Sequence, residues 1–304
     1  MRRFIPAIVT VALAAGACTS SGAEEPVSST SSIAPVTTLA STGQTQTTTT
    51  TPPPTSAPAT TTTLPPPENE CVVGPDTSTD GFAQGCSVLG ITILAAEDVD
   101  RTAIEGQADR IFNMLVARPD LITAIQESGI EGRVIPAGER ITSVPDYADL
   151  YEEYPGTDWD RRGRSFPGTE ALPVFSGAEE NLLCSTEDRY EGEDIFVRTF
   201  ALTIRRFALN AVDEGTSAAI NRAYARAIAA GLWENTLAEI NDDEYWMEGV
   251  QSYFDANRED TDEDRGPNSS HNAVNTRDEL AEYDPALWAI AESVFGDTPW
   301  RPEC

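Results

Sequence analysis

His271 is the only histidine among 304 residues, and it bounds the chemistry open to this chain. A zinc site built on two imidazoles cannot form, and a Ser/His/Asp hydrolase would have one histidine to use and no nucleophile elbow to present its serine. Carboxylates are abundant instead. There are 50 Asp and Glu against 20 basic residues, all of them Arg, for a net charge of −30. Glu193, Asp194, Glu244 and Glu248 could supply the acid/base pair of a metal-free glycan hydrolase if two of them converged, with one in an apolar setting. Asp260, Asp262 and Asp264 stand at calcium-loop spacing, but Arg265 takes the place of the loop glycine and His271 that of the closing glutamate. A solvated acidic loop with an exposed His271 is the expectation there, and weak calcium binding is the alternative.

The elements that must position these groups follow from periodicity and punctuation. Residues 87–95, SVLGITILA, are β-branched and apolar and predict a strand. Asp98 or Asp100 caps a helix through Arg118, with Ile104, Ala108, Ile111 and Leu115 as its core stripe. Pro119–Ser128 begins with Pro-Asp and stops before Gly129, as a short helix should. Short strands are expected at 133–136 and 141–144, then a long ordered loop over 147–175. Residues 192–210 predict a helix entered from a polar turn. Thr216 or Ser217 caps another through Leu232, and 242–257 forms the next, with its acids at the favourable end of the helix dipole. Two helices at 276–283 and Pro285–Phe295 close the chain. Trp246, Tyr253 and Phe254 read as core. The fold class is α+β, mainly helical, with a small sheet.

The ends point to export. Residues 1–17 carry a basic start at Arg2 and Arg3, an apolar run and small residues, the three parts of a signal peptide. Cys18 follows Ala15-Gly16-Ala17 and is the expected site of lipidation, which places the chain at the cell surface, lipid-anchored. Residues 18–69 are Thr, Ser and Pro-rich with almost no large apolar side chain, so they form a disordered, partly polyproline-II tether. One folded domain over 70–304 remains. Five cysteines are an odd number for an oxidising compartment. With Cys18 lipidated, Cys71, Cys86, Cys184 and Cys304 allow three pairings, of which Cys71 with Cys86 and Cys184 with Cys304 are favoured. So acidic a surface disfavours nucleic acid and anionic lipid as partners.

Three blocks in order, AEENLLC at 178–184, GEDIFVRTFALTI at 192–204, and AGLWENT with EYWMEGVQSYFDAN within 230–257, resemble secreted bacterial and fungal proteins whose domain is similar to the catalytic domain of anthrax lethal factor. The resemblance spans roughly residues 88–299 and implies a zincin-like metallopeptidase fold of the gluzincin type. Active members would read G-E-N-I-L-V-H-E-F-A-H-T-I across the second block. Two His four apart on one helix face hold the ion, and the intervening Glu polarises its water.

Laid on this chain, that pattern puts Arg198 and Leu202 at the ligand positions and Thr199 at the general base. Arg carries no lone pair for a cation, Leu no donor atom and Thr no carboxylate. The resemblance also makes Glu248 the retained third ligand, with Tyr245 beside it and Glu244 as the fallback. A carboxylate left buried and unpaired would cost on the order of 3–5 kcal/mol, so Arg198 is expected to bond Glu248. The alternatives are an Arg198 turned to solvent and a Glu248 paired with Arg205 or Arg206. The resulting expectation is a peptidase-shaped domain with no metal, no cofactor and no catalytic residues. It would act as a binding or structural module for an unidentified protein, peptide or glycan, with a carboxylate-based or residual metallopeptidase hydrolase as the alternative.

Overall fold

The computed structural model describes residues 69–76, 81–260 and 270–303. The leader, Cys18, the tether, Asp262, Asp264 and Cys304 lie outside the described residues. Within them, the expected single strand at 87–95 is broken by a two-residue turn. Leu89 and Gly90 both take positive φ, 48° and 72°, and reverse the chain. β2 (Gln84–Val88) and β3 (Ile91–Ala95) therefore pair antiparallel, with Val88 opposite Ile91. β1 (Gly74–Pro75) adds to the outer edge of β2.

From β3 the chain crosses through α1 (Arg101–Leu115) and α2 (Pro119–Ser128) to β4 (Glu131–Ile135), parallel to β3. Asp100 is the N-cap of α1, accepting the Thr102 amide, and Gly129 ends α2 at φ 68°. The segment 141–144 is not a strand. It forms one 3-10 turn at Ile141–Ser143, followed by another at Pro145–Tyr147, because Pro145 cannot donate to a ladder. The long connection carries two single-turn helices, α3 (Leu150–Glu153) and α4 (Trp159–Arg162), before β5 (Val174–Ala178) pairs parallel with β4. The outer edge of β5 is covered by the chain itself through a bridge between Phe166 and Ser176. The sheet order is β1-β2-β3-β4-β5.

The helical remainder comprises α5 (Glu179–Leu182), α6 (Ile195–Ile204), α7 (Asn210–Val212), α8 (Glu214–Ala229), α9 (Asp242–Tyr253), α10 (Arg277–Tyr283) and α11 (Pro285–Phe295). Residues Arg205–Leu209 form a π-turn joining α6 to α7. α8 begins at Glu214, capped by Asp213 and not by Thr216 or Ser217, since Asp213 accepts the Thr216 amide. One core cluster joins the sheet and α1 to α6, α9 and α11 and includes Trp246, Tyr253 and Phe254. A smaller cluster packs Phe82, Ile135 and Tyr147 under the 141–172 connection. Cys71 and Cys86 form a disulfide. Cys184 is also disulfide-bonded. No helix among the described residues is long and apolar enough to cross a membrane.

Candidate functional site

The site is built on α6 and α9, which pack face to face. Asp194 starts α6: its Oδ1 accepts the Val197 amide at 2.9 Å, and its Oδ2 accepts Arg110 Nε at 2.5 Å. That carboxylate is committed to a helix cap and a buried ion pair. Asn181 supports the same turn, accepting the Ile195 amide at 3.0 Å and donating to the Glu193 carbonyl at 2.8 Å. The block AEENLLC is thus structural throughout its acids. Glu179 accepts the amides of Asp100 and Ala137, both at 2.7 Å, and Glu180 binds Arg164 at 2.6 and 2.8 Å. Asn241 caps α9 through the Glu244 amide at 2.8 Å.

Between the two helices, Arg198 donates from Nη1 to Glu248 Oε2 at 2.6 Å and from Nη2 to Glu244 Oε2 at 2.5 Å. The guanidinium bridges two carboxylates one turn apart on α9, in place of a bidentate grip on one. Glu248 is fully buried, and its other oxygen meets Asn257 Nδ2 at 2.9 Å and His271 Nδ1 at 2.7 Å. His271 Nε2 in turn lies 3.1 Å from Glu193 Oε2, which Gln251 also reaches at 3.1 Å. His271 is 2% exposed. The exposed histidine expected from sequence is therefore a buried member of this group. Both of its ring nitrogens face carboxylate oxygens, which accept only, so both must donate and the ring is an imidazolium.

The result is a chain of alternating charge, Glu244, Arg198, Glu248, His271, Glu193. Burial would raise the Glu248 carboxyl, but the His271 hydrogen bond, the Arg198 and His271 charges and the Asn257 amide hold it down to about 2. Burial would likewise lower His271, yet its hydrogen bonds to Glu193 and Glu248 and their charges push it up to about 9. Burial opposes the Arg198 charge too, and Glu248 and Glu244 more than compensate, raising its pKa.

The other sequence-selected residues fall around this chain. Thr199 donates to the Ile195 carbonyl at 3.0 Å and touches the Ser165 hydroxyl. Leu202 is buried. Arg205 pairs with Asp242 and Asp243, and Arg206 with Asp243, so neither competes for Glu248. Tyr245 does not join Glu244 and Glu248. One residue along a helix turns the side chain about 100°, and its hydroxyl donates to Asp284 Oδ2 at 2.7 Å on the far side of α9. Burial and the Asp284 charge raise its pKa.

No family model matches the chain, and no curated protein matches it. Among solved structures, the Pro-Pro endopeptidase PPEP-2 from Paenibacillus alvei is similar, with a TM-score of 0.42 and 12% identity over 66% of this chain and 96% of that one. At that level the two share a coarse likeness of fold.

The zinc implied by the sequence resemblance does not fit the donor set. Arg198 delivers a fixed cation to Glu248, both nitrogens of the lone imidazole are spent on carboxylates, and Leu202 offers carbon. No group of three or more His, Cys, Asp or Glu able to hold a metal occurs among the described residues. The four carboxylates named for a metal-free hydrolase are all engaged by protein groups: Asp194 by Arg110 and the α6 cap, Glu244 by Arg198, and Glu193 and Glu248 by the two ring nitrogens of His271.

Proposed function

We propose that this chain is an exported lipoprotein, anchored through Cys18 and carried on a Thr/Pro-rich tether, whose zincin-like domain has exchanged metal-dependent proteolysis for a binding or structural role. One observation supports this reading above the rest. The carboxylate that the resemblance makes a metal ligand has its oxygens engaged by Arg198, Asn257 and His271.

The experiment is zinc analysis of the purified exported chain alongside cleavage of casein and of a Pro-Pro-containing peptide, each with and without chelator. The expected result is zinc far below one equivalent and no chelator-sensitive cleavage. Stoichiometric zinc with cleavage abolished by chelator would overturn the proposal. Labelling with palmitate, lost in Cys18→Ala, tests the anchor separately.

A further inference from the structure

The connection between β4 and β5 builds an open concavity of about 480 Å³, lined by Gly138, Arg140, Tyr151, Asp158, Asp160 and Arg164 among others. It lies on loops, yet its wall is fixed from beneath. Arg164 is buried and binds Glu180 through Nε and Nη2, while donating to the carbonyls of Pro136 and Glu139. Four of its five N–H groups meet acceptors of the protein itself, so it is the floor. Tyr151 is held in place by its hydroxyl, 2.9 Å from Asp160 Oδ2, and Asp160 Oδ1 accepts the Ile141 amide at 3.1 Å.

Groups remain for a ligand. The Arg140 side chain is 78% exposed and only loosely approaches Asp160, at 3.8 Å. Asp158 meets the Tyr151 hydroxyl at 3.5 Å, the outer limit of a hydrogen bond. One aromatic ring, Tyr151, lines the concavity, and Tyr154 and Trp159 follow on the same connection. Tyr151 and Tyr154 are 38% and 53% exposed, two of the few large apolar side chains that face solvent among the described residues. Tyr154 packs edge-on to Trp159 at 5.9 Å, and Arg162 lies over the Trp159 ring.

We infer that this concavity is a saccharide-binding site. The lining sets Arg140 and Arg164 among Glu139, Asp158 and Asp160, a mixture of signs that favours neither a strongly anionic nor a strongly cationic ligand. A neutral sugar suits the mixture. Each hydroxyl both donates and accepts, and so can bridge a carboxylate and a guanidinium, while the C–H face of the ring packs on an exposed aromatic side chain. The site is separate from the α6/α9 charge chain and does not depend on whether that chain is catalytically silent.

The test is calorimetric titration of the exported chain with cellohexaose, chitohexaose, maltohexaose and mannohexaose, and with a proline decamer and a heparin hexasaccharide as competitors of other chemistry. Saturable binding of at least one neutral hexasaccharide in the millimolar range or tighter is expected. Tyr151→Ala and Arg140→Ala should each weaken it about tenfold or more, with circular dichroism unchanged, and Ile240→Ser should leave it intact. Absence of binding by all four neutral sugars, binding only of the proline or heparin probe, or equal affinity in the Tyr151 and Arg140 variants would overturn the inference.

Discussion

Arg198 and Glu248, fifty residues apart in sequence, meet at 2.6 Å across the α6/α9 interface with both side chains buried. Removing one partner takes away a close counter-charge of the other and leaves Glu248 with His271 alone, or Arg198 with Glu244 alone. Arg198→Met is expected to lower unfolding free energy by about 3 kcal/mol, and Arg198→Met with Glu248→Gln by clearly less. Urea denaturation at neutral pH measures both; equal losses would show that the pair is not coupled.

His271 makes stability pH-dependent in a direction opposite to Glu248. The folded His271 pKa lies near 9, above the ordinary 6.5, so its contribution is complete below about pH 6.5 and disappears as pH rises through 9. Glu248 is depressed to about 2 from 4.5, so its contribution is complete above about pH 4.5 and is lost as pH falls towards 2. The urea midpoint should therefore decline on the alkaline side between those two His271 values. In His271→Gln that decline should be much flatter, and an unchanged slope would remove the charged imidazolium.

Gly249 tests the seat of α9 on α11. A Cβ there would lie 2.2 Å from Leu287 Cδ2 and 2.5 Å from its Cγ. Those atoms are buried at the helix crossing, so Gly249→Ala should destabilise by about 1–3 kcal/mol despite its better helix propensity. Gly249→Ala with Leu287→Ala should recover part of the loss specific to the clash.

The Cys71–Cys86 disulfide closes a loop 15 residues apart in sequence. Loop-closure entropy puts its contribution near 3 kcal/mol. The Cys71→Ser, Cys86→Ser variant should melt several degrees lower than the parent while keeping its helical signal. An unchanged melting temperature would place the 71–86 loop outside the cooperative unit.

Much of the fold was legible because its signals are local. Pro119 and Gly129 bound α2, Asp100 caps α1, and Thr276 with Glu279 forms a capping box at α10, each needing only a few neighbouring residues. The errors also have local causes. SVLGITILA is apolar enough to mask the Leu89-Gly90 turn, and Asp213 caps α8 from three residues before Thr216. The 141–144 segment has strand-like residues, but Pro145 and the packing of Ile141 and Val144 with Tyr147 make it a 3-10 turn.

The sequence by itself determined that a two-histidine metal site is impossible, since one histidine cannot become two, and its family resemblance pointed to Arg198 and Glu248. The tertiary structure decided what His271 does. Its partners Glu248 and Glu193 are 23 and 78 residues away, and no local pattern encodes that they converge on one buried ring. Whether a polar side chain is solvated or buried depends on which distant elements close over it. That closure turned an expected surface histidine into the centre of the charge chain and turned Tyr245 away from it.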